Sequence, residues 1–191
     1  MFVAGCDLGL SKSGVVVLND KFEIEEQNLI KVKSKGIERL VDIEKAFKWI
    51  IERYKDEELN IFIEGYAYGA KYQRESLAEL GGVIRRYIYL ASLSFWVVPP
   101  RSVKMFVTGT GTASKNYMKK CTKEKWGLTF KSDDVCDAYG ISRLGMSVMK
   151  VVNGHEGYNH LPQNEQGVIR DIVLNPEWYK NSSTSRKRSR K

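Results

Sequence analysis

Two short, valine-rich apolar runs open the chain at residues 2–8 and 14–19, and the glycine- and serine-containing stretch between them has the composition of a turn. They predict a β-hairpin. Residues 22–33 continue with β-compatible side chains and supply a third antiparallel strand. Over residues 37–54 the period changes, with Ile37, Leu40, Ile43, Phe47, Ile50 and Ile51 recurring at helical spacing. Residues 59–64 are another compact apolar run. A long helix follows over 71–93, where the Gly81-Gly82 pair would allow close backbone approach, and then a fifth strand over 95–98 that Pro99-Pro100 halts. Two further helices fall at 115–126 and 133–152. The order β-β-β-α-β-α-β-α-α predicts an α/β fold, a mixed five-stranded sheet flanked by helices.

Beyond residue 152 the pattern fades. Residues 153–164 mix glycine, histidine, proline and polar side chains and read as an irregular loop, while 166–174 have the spacing of one short helix. Residues 182–191 lack the apolar side chains that would offset their ordering entropy and are expected to be disordered. The expected organisation is one domain over 1–152, a C-terminal extension over 153–180 and a basic tail over 181–191.

Composition narrows the class. With 191 residues, 42% hydrophobic and 28% charged, the chain can bury a core and reads as a globular protein. The apolar opening is interrupted by Asp7 and follows no basic segment, so neither a signal peptide nor a membrane span is expected, which points to the cytoplasm. Cys6, Cys121 and Cys136 lack any C-x-x-C spacing and read as reduced, buried thiols. A zinc site would need two of them plus His155 and His160 across long, irregular gaps, which disfavours it.

The formal charge is +8, yet five of the last six residues are Lys or Arg, which leaves only +3 for residues 1–185. Within that remainder, Arg101, Lys104, Lys115, Lys119, Lys120, Lys123, Lys125 and Lys131 face the single acid Glu124, a band of +7 over residues 101–131. A solvated helix face normally mixes signs, so the band favours a polyanion, nucleic acid in particular.

Four carboxylates supply candidate chemistry. Asp7 and Glu64 each end an apolar strand, where a lone buried charge would be costly without a cation. At about 100° per residue, Ala138, Ile141, Gly145, Val148 and Val152 form the stripe of the last long helix that faces the sheet, and Asp134 and Asp137 lie on that stripe at its start. Asp133 points aside and is placed as the N-cap. Each acid alone has a plain reading as a turn, a strand end or a first-turn helix acid. Together they favour a site for Mg²⁺ or Mn²⁺, since oxygen-only ligands suit those ions and like charges converge most readily around a cation. Two ions about 3.5–4 Å apart could support phosphodiester hydrolysis.

Asp7-Leu-Gly-Leu-Ser-Lys-Ser-Gly14 on the first strand, Glu64 on the fourth, Arg101-Ser-Val-Lys104, residues 107–115 and Asp134-x-x-Asp137 together resemble the RuvC family of Holliday junction resolvases over about residues 1–152. The resemblance implies a ribonuclease H-like fold and a homodimer that binds branched DNA. It further implies symmetric, metal-dependent nicking of a four-way junction that leaves 5′-phosphate ends, in a bacterial or phage-infected cell. By similarity Asp7, Glu64, Asp134 and Asp137 are metal ligands and catalytic residues, and Lys104 and Lys115 contact DNA beside the scissile phosphate. Arg101 and Lys119 extend that basic surface, and Tyr66 or Tyr68 falls where the family places an aromatic wedge. Leu8 stands where many members have proline, the spacing after Glu64 is longer, and the basic tail is similar to that of divergent, virus-borne members.

Three other readings compete. Actin-like kinases and ATPases also carry Asp-x-Gly near the start, but they need two such domains and a second phosphate loop, so no nucleotide cofactor is expected. A nuclease for RNA–DNA hybrids shares the predicted chemistry. A non-catalytic junction-binding protein would not need all four acids.

Overall fold

Three strands, β1 (Phe2–Asp7), β2 (Lys12–Asn19) and β3 (Ile24–Lys31), form an antiparallel meander. On the other side of β1, β4 (Leu59–Glu64) and β5 (Ser94–Val98) add in parallel, giving the order β3-β2-β1-β4-β5. This is a computed structural model, which describes residues 1–54, 56–65, 74–155 and 157–175. The valine run of β2 is buried on both faces, as a strand covered by helices on each side requires, whereas β3 at the edge alternates between half-buried and exposed positions.

Helices α1 (Gly36–Arg53) and α2 (Arg74–Leu90) cover one face. Ile43, Phe47 and Ile50 of α1 and Leu80, Ile84 and Ile88 of α2 meet Ala4, Val15, Val17, Ile61 and Ile63 of the sheet. The alternate strand residues Val3, Val16, Leu18 and Phe62 point to the other face. There they meet α3 (Pro100–Thr108), α4 (Lys115–Trp126), α5 (Asp133–Val152) and α6 (Gln163–Leu174).

Helix α5 runs unusually close to the strands because three glycines remove the side chains between them. A Cβ on Gly5 would lie 2.3 Å from the carbonyl oxygen of Ala138, and one on Gly14 would lie 2.0 Å from that of Asp134. Further along, a Cβ on Gly145 would lie 2.6 Å from the Phe62 ring. Backbone therefore rests on backbone over the first half of α5.

Several expectations change. Helix α3 was not anticipated, because Pro99-Pro100 reads as a stop. In the structure Pro100 occupies the first turn, where a missing N–H costs nothing, and Gly109 closes the helix in a left-handed conformation at φ 78°. Val103, Phe106 and Val107 are its buried face. The stretch expected to be an irregular loop over 153–164 contains a 3₁₀ turn at Tyr158–His160, and α6 begins at Gln163. Gly82 allows no close approach, since nothing lies within 4 Å of where its Cβ would stand. All three cysteines are buried and free, as read from their spacing. Among the described residues, no helix is long and apolar enough to cross a membrane.

Helix α6 belongs to the same core as α5. Its Val168, Ile169 and Ile172 are buried there, and Lys125 Nζ reaches both the Glu165 carboxylate at 2.9 Å and the carbonyl oxygen of Phe106 at 3.1 Å. Asn164 Nδ2 donates to the carbonyl oxygen of Met105 at 3.0 Å. These bonds tie α6 to α3 and α4, the helices that carry the basic band.

Candidate active site

Parallel pairing puts the carboxyl ends of β1 and β4 on one edge of the sheet. Asp7 and Glu64 each stand one position beyond the last paired residues, Cys6 and Ile63, so they occupy adjacent strands about 4.8 Å apart. On the other side of Asp7, β2 pairs Gly14 with it, and Gly14 is where the backbone of Asp134 rests. The first turn of α5 is thereby set down over the same edge. Residues three apart on a helix share a face, which brings Asp137 in beside Asp134.

The N-cap of α5 is Ser132, not Asp133. Asp133 occupies the first helical position and turns away from the other acids, pairing with Lys119 Nζ at 2.5 Å and Lys115 Nζ at 3.9 Å. Lys119, with its hydrogen bond to this carboxylate, holds the Asp133 pKa below the ordinary range. The Ser132 hydroxyl donates to Asp134 Oδ2 at 3.0 Å and so fixes that side chain.

The charges of these acids act on one another. Burial, then the charges of Asp137 and Asp134, raise the pKa of Asp7 to about 7 against the pull of Lys115. Burial, then Asp7 and Asp137, raise that of Glu64 to about 8, with Lys104 and Lys115 opposing. Asp137 is raised too, mainly by burial, while Lys115 and Lys104 oppose and Asp133 and Asp134 add to the shift. Asp7 is the hub, since it couples to Glu64, Asp137 and Asp134, whereas Glu64 couples to Asp7 and Asp137. Among the described residues, Asp7, Glu64 and Asp137 form no ion pair. Nor do any three such side chains among those residues already close into a cage for an ion.

This donor set fits a divalent cation. It offers hard oxygens, its charges repel one another, and burial withholds the water that would otherwise screen them. Two thiols neighbour it, Cys6 beside Asp7 and Cys136 beside Asp137, and burial, with the adjoining acids adding to it, pushes the pKa of both up and away from thiolate chemistry.

Of the basic residues, Lys104 on α3 is half-buried, and Lys115 at the start of α4 is exposed. Both lower the pKa of Glu64 and Asp137, so their charges reach the site. Lys119 is engaged with Asp133. Arg101 is exposed, with its side chain lying over Gly111. Tyr66, Tyr68, the expected start of the long helix at residue 71 and the basic tail lie outside the described residues. Sequence reasoning missed Gly5 and Gly14 as positioning residues: a glycine inside a strand hints that another backbone comes close, but not which element it belongs to.

Residues 3–143 match the family described as crossover junction endodeoxyribonuclease RuvC. The protein of that name from Prochlorococcus marinus (strain NATL1A) is 28% identical over 153 residues, covering 76% of this chain and 98% of the relative. That from Sulfurovum sp. (strain NBC37-1) is 28% identical over 157 residues, covering 79% and 98%. Among solved structures, Thermus thermophilus RuvC superposes with a TM-score of 0.65 at 19% identity, covering 81% of this chain and 97% of that one. The same score and identity hold for T. thermophilus RuvC in complex with Holliday junction substrate, covering 81% and 96%. The family match over most of the chain, with five strands and flanking helices laid out as in a RuvC structure, means that the chain belongs to the RuvC family of crossover junction endodeoxyribonucleases.

Proposed function

We propose that this chain is a structure-selective endodeoxyribonuclease that resolves four-way DNA junctions, with Asp7, Glu64, Asp134 and Asp137 as its catalytic, metal-holding residues. The observation that carries the reading is geometric: parallel pairing of β1 with β4 and the seating of α5 on Gly14 bring buried acids to one sheet edge, where Asp7, Glu64 and Asp137 have no ion-paired cation among the described residues. Natural folds rarely keep buried carboxylates together without a cation to offset their repulsion. The ions we assign are Mg²⁺ or Mn²⁺, two per site.

When bound, such ions polarise a phosphodiester and lower the pKa of an attacking water. The chain's own residues do the rest. Asp7, on the central strand of the sheet, is the carboxylate about which the others are arranged and would be a principal holder of the ions, and Gly14 and the Ser132 hydroxyl hold Asp134 in place. Lys104 and Lys115 put positive charge at the rim, where phosphate oxygens gather negative charge during cleavage. Arg101 and Lys119 extend this surface along the DNA, and Tyr66 or Tyr68 is assigned to stacking at the junction centre. One chain carries one such site, whereas a four-way junction has two equivalent strands to cut, so the working unit is a homodimer.

Parallel digestion of junction, flap, duplex and RNA–DNA hybrid substrates in Mn²⁺ tests the assignment. Paired nicks confined to the junction, ending in 5′-phosphates and lost in excess chelator, are expected. Preferential cutting of the hybrid, or cutting undiminished by chelator, contradicts it.

A further inference from the structure

The edge of the sheet that carries the acids also carries a basic feature that the site as described does not use. Antiparallel pairing of β2 with β3 sets Lys12 directly opposite Lys31. Like charges facing each other across a ladder are destabilising. Both are exposed, and among the described residues neither has an ion-pair partner. They border an open hollow of about 470 Å³ that is also lined by Lys115, Lys131, Asp133 and Asp134. Lys12, Lys31, Lys115 and Lys131 face Asp133 and Asp134 there, and Asp133, which also feels Lys12, pairs with Lys115 and with Lys119 from outside, so the hollow keeps an excess of positive charge.

Strand order fixes where this hollow stands. Crossing the edge from β3 to β5, one meets Lys31, Lys12, Asp7 and Glu64, and then, through the helix that follows β5, Lys104. The acids therefore lie between Lys104 on one side and the lysine hollow on the other. Two strand spacings, about 10 Å, separate β3 from β1.

We propose that the hollow is a second backbone subsite, in which Lys12, Lys31 and Lys131 hold a DNA phosphodiester flanking the one that is cut. The inference rests on the nuclease reading and adds the path of the strand, which runs along the sheet edge from Lys104 past the acids to Lys31. Ammonium groups are point charges that suit phosphate oxygens and read no base edge, so the subsite sets register and leaves sequence preference to other contacts. A bound phosphate also relieves the repulsion between the facing lysines.

The test measures affinity for a four-way junction in chelator, as a function of salt, for the full-length protein and for Lys12→Gln/Lys31→Gln. Loss of one or two phosphate contacts reduces the slope of log affinity against log salt by about 1–2, and each lost contact removes roughly threefold of the affinity change between about 50 and 200 mM salt. A single methylphosphonate moved along the cut strand should weaken wild-type binding by at least about threefold at one flanking position. The double Gln variant should be indifferent at that position, and Lys12→Arg/Lys31→Arg should behave as wild type. The melting temperature of the Gln variant should equal or exceed that of wild type. An unchanged salt slope, methylphosphonate sensitivity that persists in the Gln variant, or sensitivity spread evenly along the strand overturns the subsite. Wild-type protein that nicks the junction in Mn²⁺ while the Gln variant keeps the full slope overturns the subsite alone; wild type that neither binds nor nicks overturns the nuclease reading and the subsite with it.

Discussion

The two faces of the sheet are packed by opposite means. On the α1–α2 face, side chains such as Phe47, Ile50 and Ile84 fill the space between helix and strand, and Gly82 stands in open space. On the α5 face, Gly5, Gly14 and Gly145 withdraw the side chains so that the helix touches the strands directly. The first arrangement yields stability from burial of apolar area. The second also yields position, because backbone contact leaves Asp134 and Asp137 little freedom to move relative to Asp7. A site of this kind is built as much by residues with no side chain as by the acids themselves.

Breaking the site itself should have the largest effect. Asp7→Asn removes the hub and should lower junction cleavage by at least about 10³-fold, the scale of losing a principal electrostatic group, while gel-shift affinity for the junction is kept. Cleavage within tenfold of wild type would remove Asp7 from the centre of the site. Breaking the contact beneath the site comes next. Gly14→Ala drives a Cβ into the Asp134 carbonyl and should cost about 1–3 kcal/mol in denaturant unfolding. Because the acids are displaced, turnover of the folded protein should fall roughly 10²-fold. Unchanged turnover would mean that α5 adjusts without cost.

Metal loading should separate the faces thermally. In metal-free protein the raised pKa values of Asp7 and Glu64 mean that the folded state holds protons the unfolded chain releases. That stability is fully present below the unfolded values of 3.8 and 4.5 and is lost as the pH rises through about 7 and about 8. Mn²⁺ should therefore raise the melting temperature more at pH 8 than at pH 5, by several degrees when the ion is at about 100 times its Kd. An equal shift at both pH values would detach the ion from these acids. The smallest effect is the matching glycine change on the other face. Gly82→Ala should stabilise by about 0.5–1 kcal/mol and leave cleavage unaltered, since it only relieves the backbone entropy of a helical glycine.

Much of this was legible in the residues because it depends on short-range pattern. The valine runs, the helical period of Leu40 to Ile51 and the stripe of α5 led to the five strands, their order along the chain and a sheet flanked by helices, and to acids at the ends of β1, β4 and the start of α5. What stayed hidden depends on contact. Pro99-Pro100 looks the same whether it ends a strand or begins a helix, and only burial of Val103, Phe106 and Val107 decides for α3. Ser132 and Asp133 are both good caps by residue type, and only the extended backbone of Ser132 and the pairing of Asp133 with Lys119 tell them apart. Lys12 and Lys31 are 19 positions apart, so their meeting is a matter of strand register, which no local pattern reveals. The role of Gly14 is likewise invisible until the helix that rests on it is in place.

Anomalous diffraction from crystals soaked in Mn²⁺ tests the central claim most directly. The account predicts manganese peaks bounded by Asp7, Glu64, Asp134 and Asp137, absent from Asp7→Asn crystals treated alike. Protein that nicks junctions in the same Mn²⁺ buffer, yet whose crystals show the ion only elsewhere or nowhere, would contradict it.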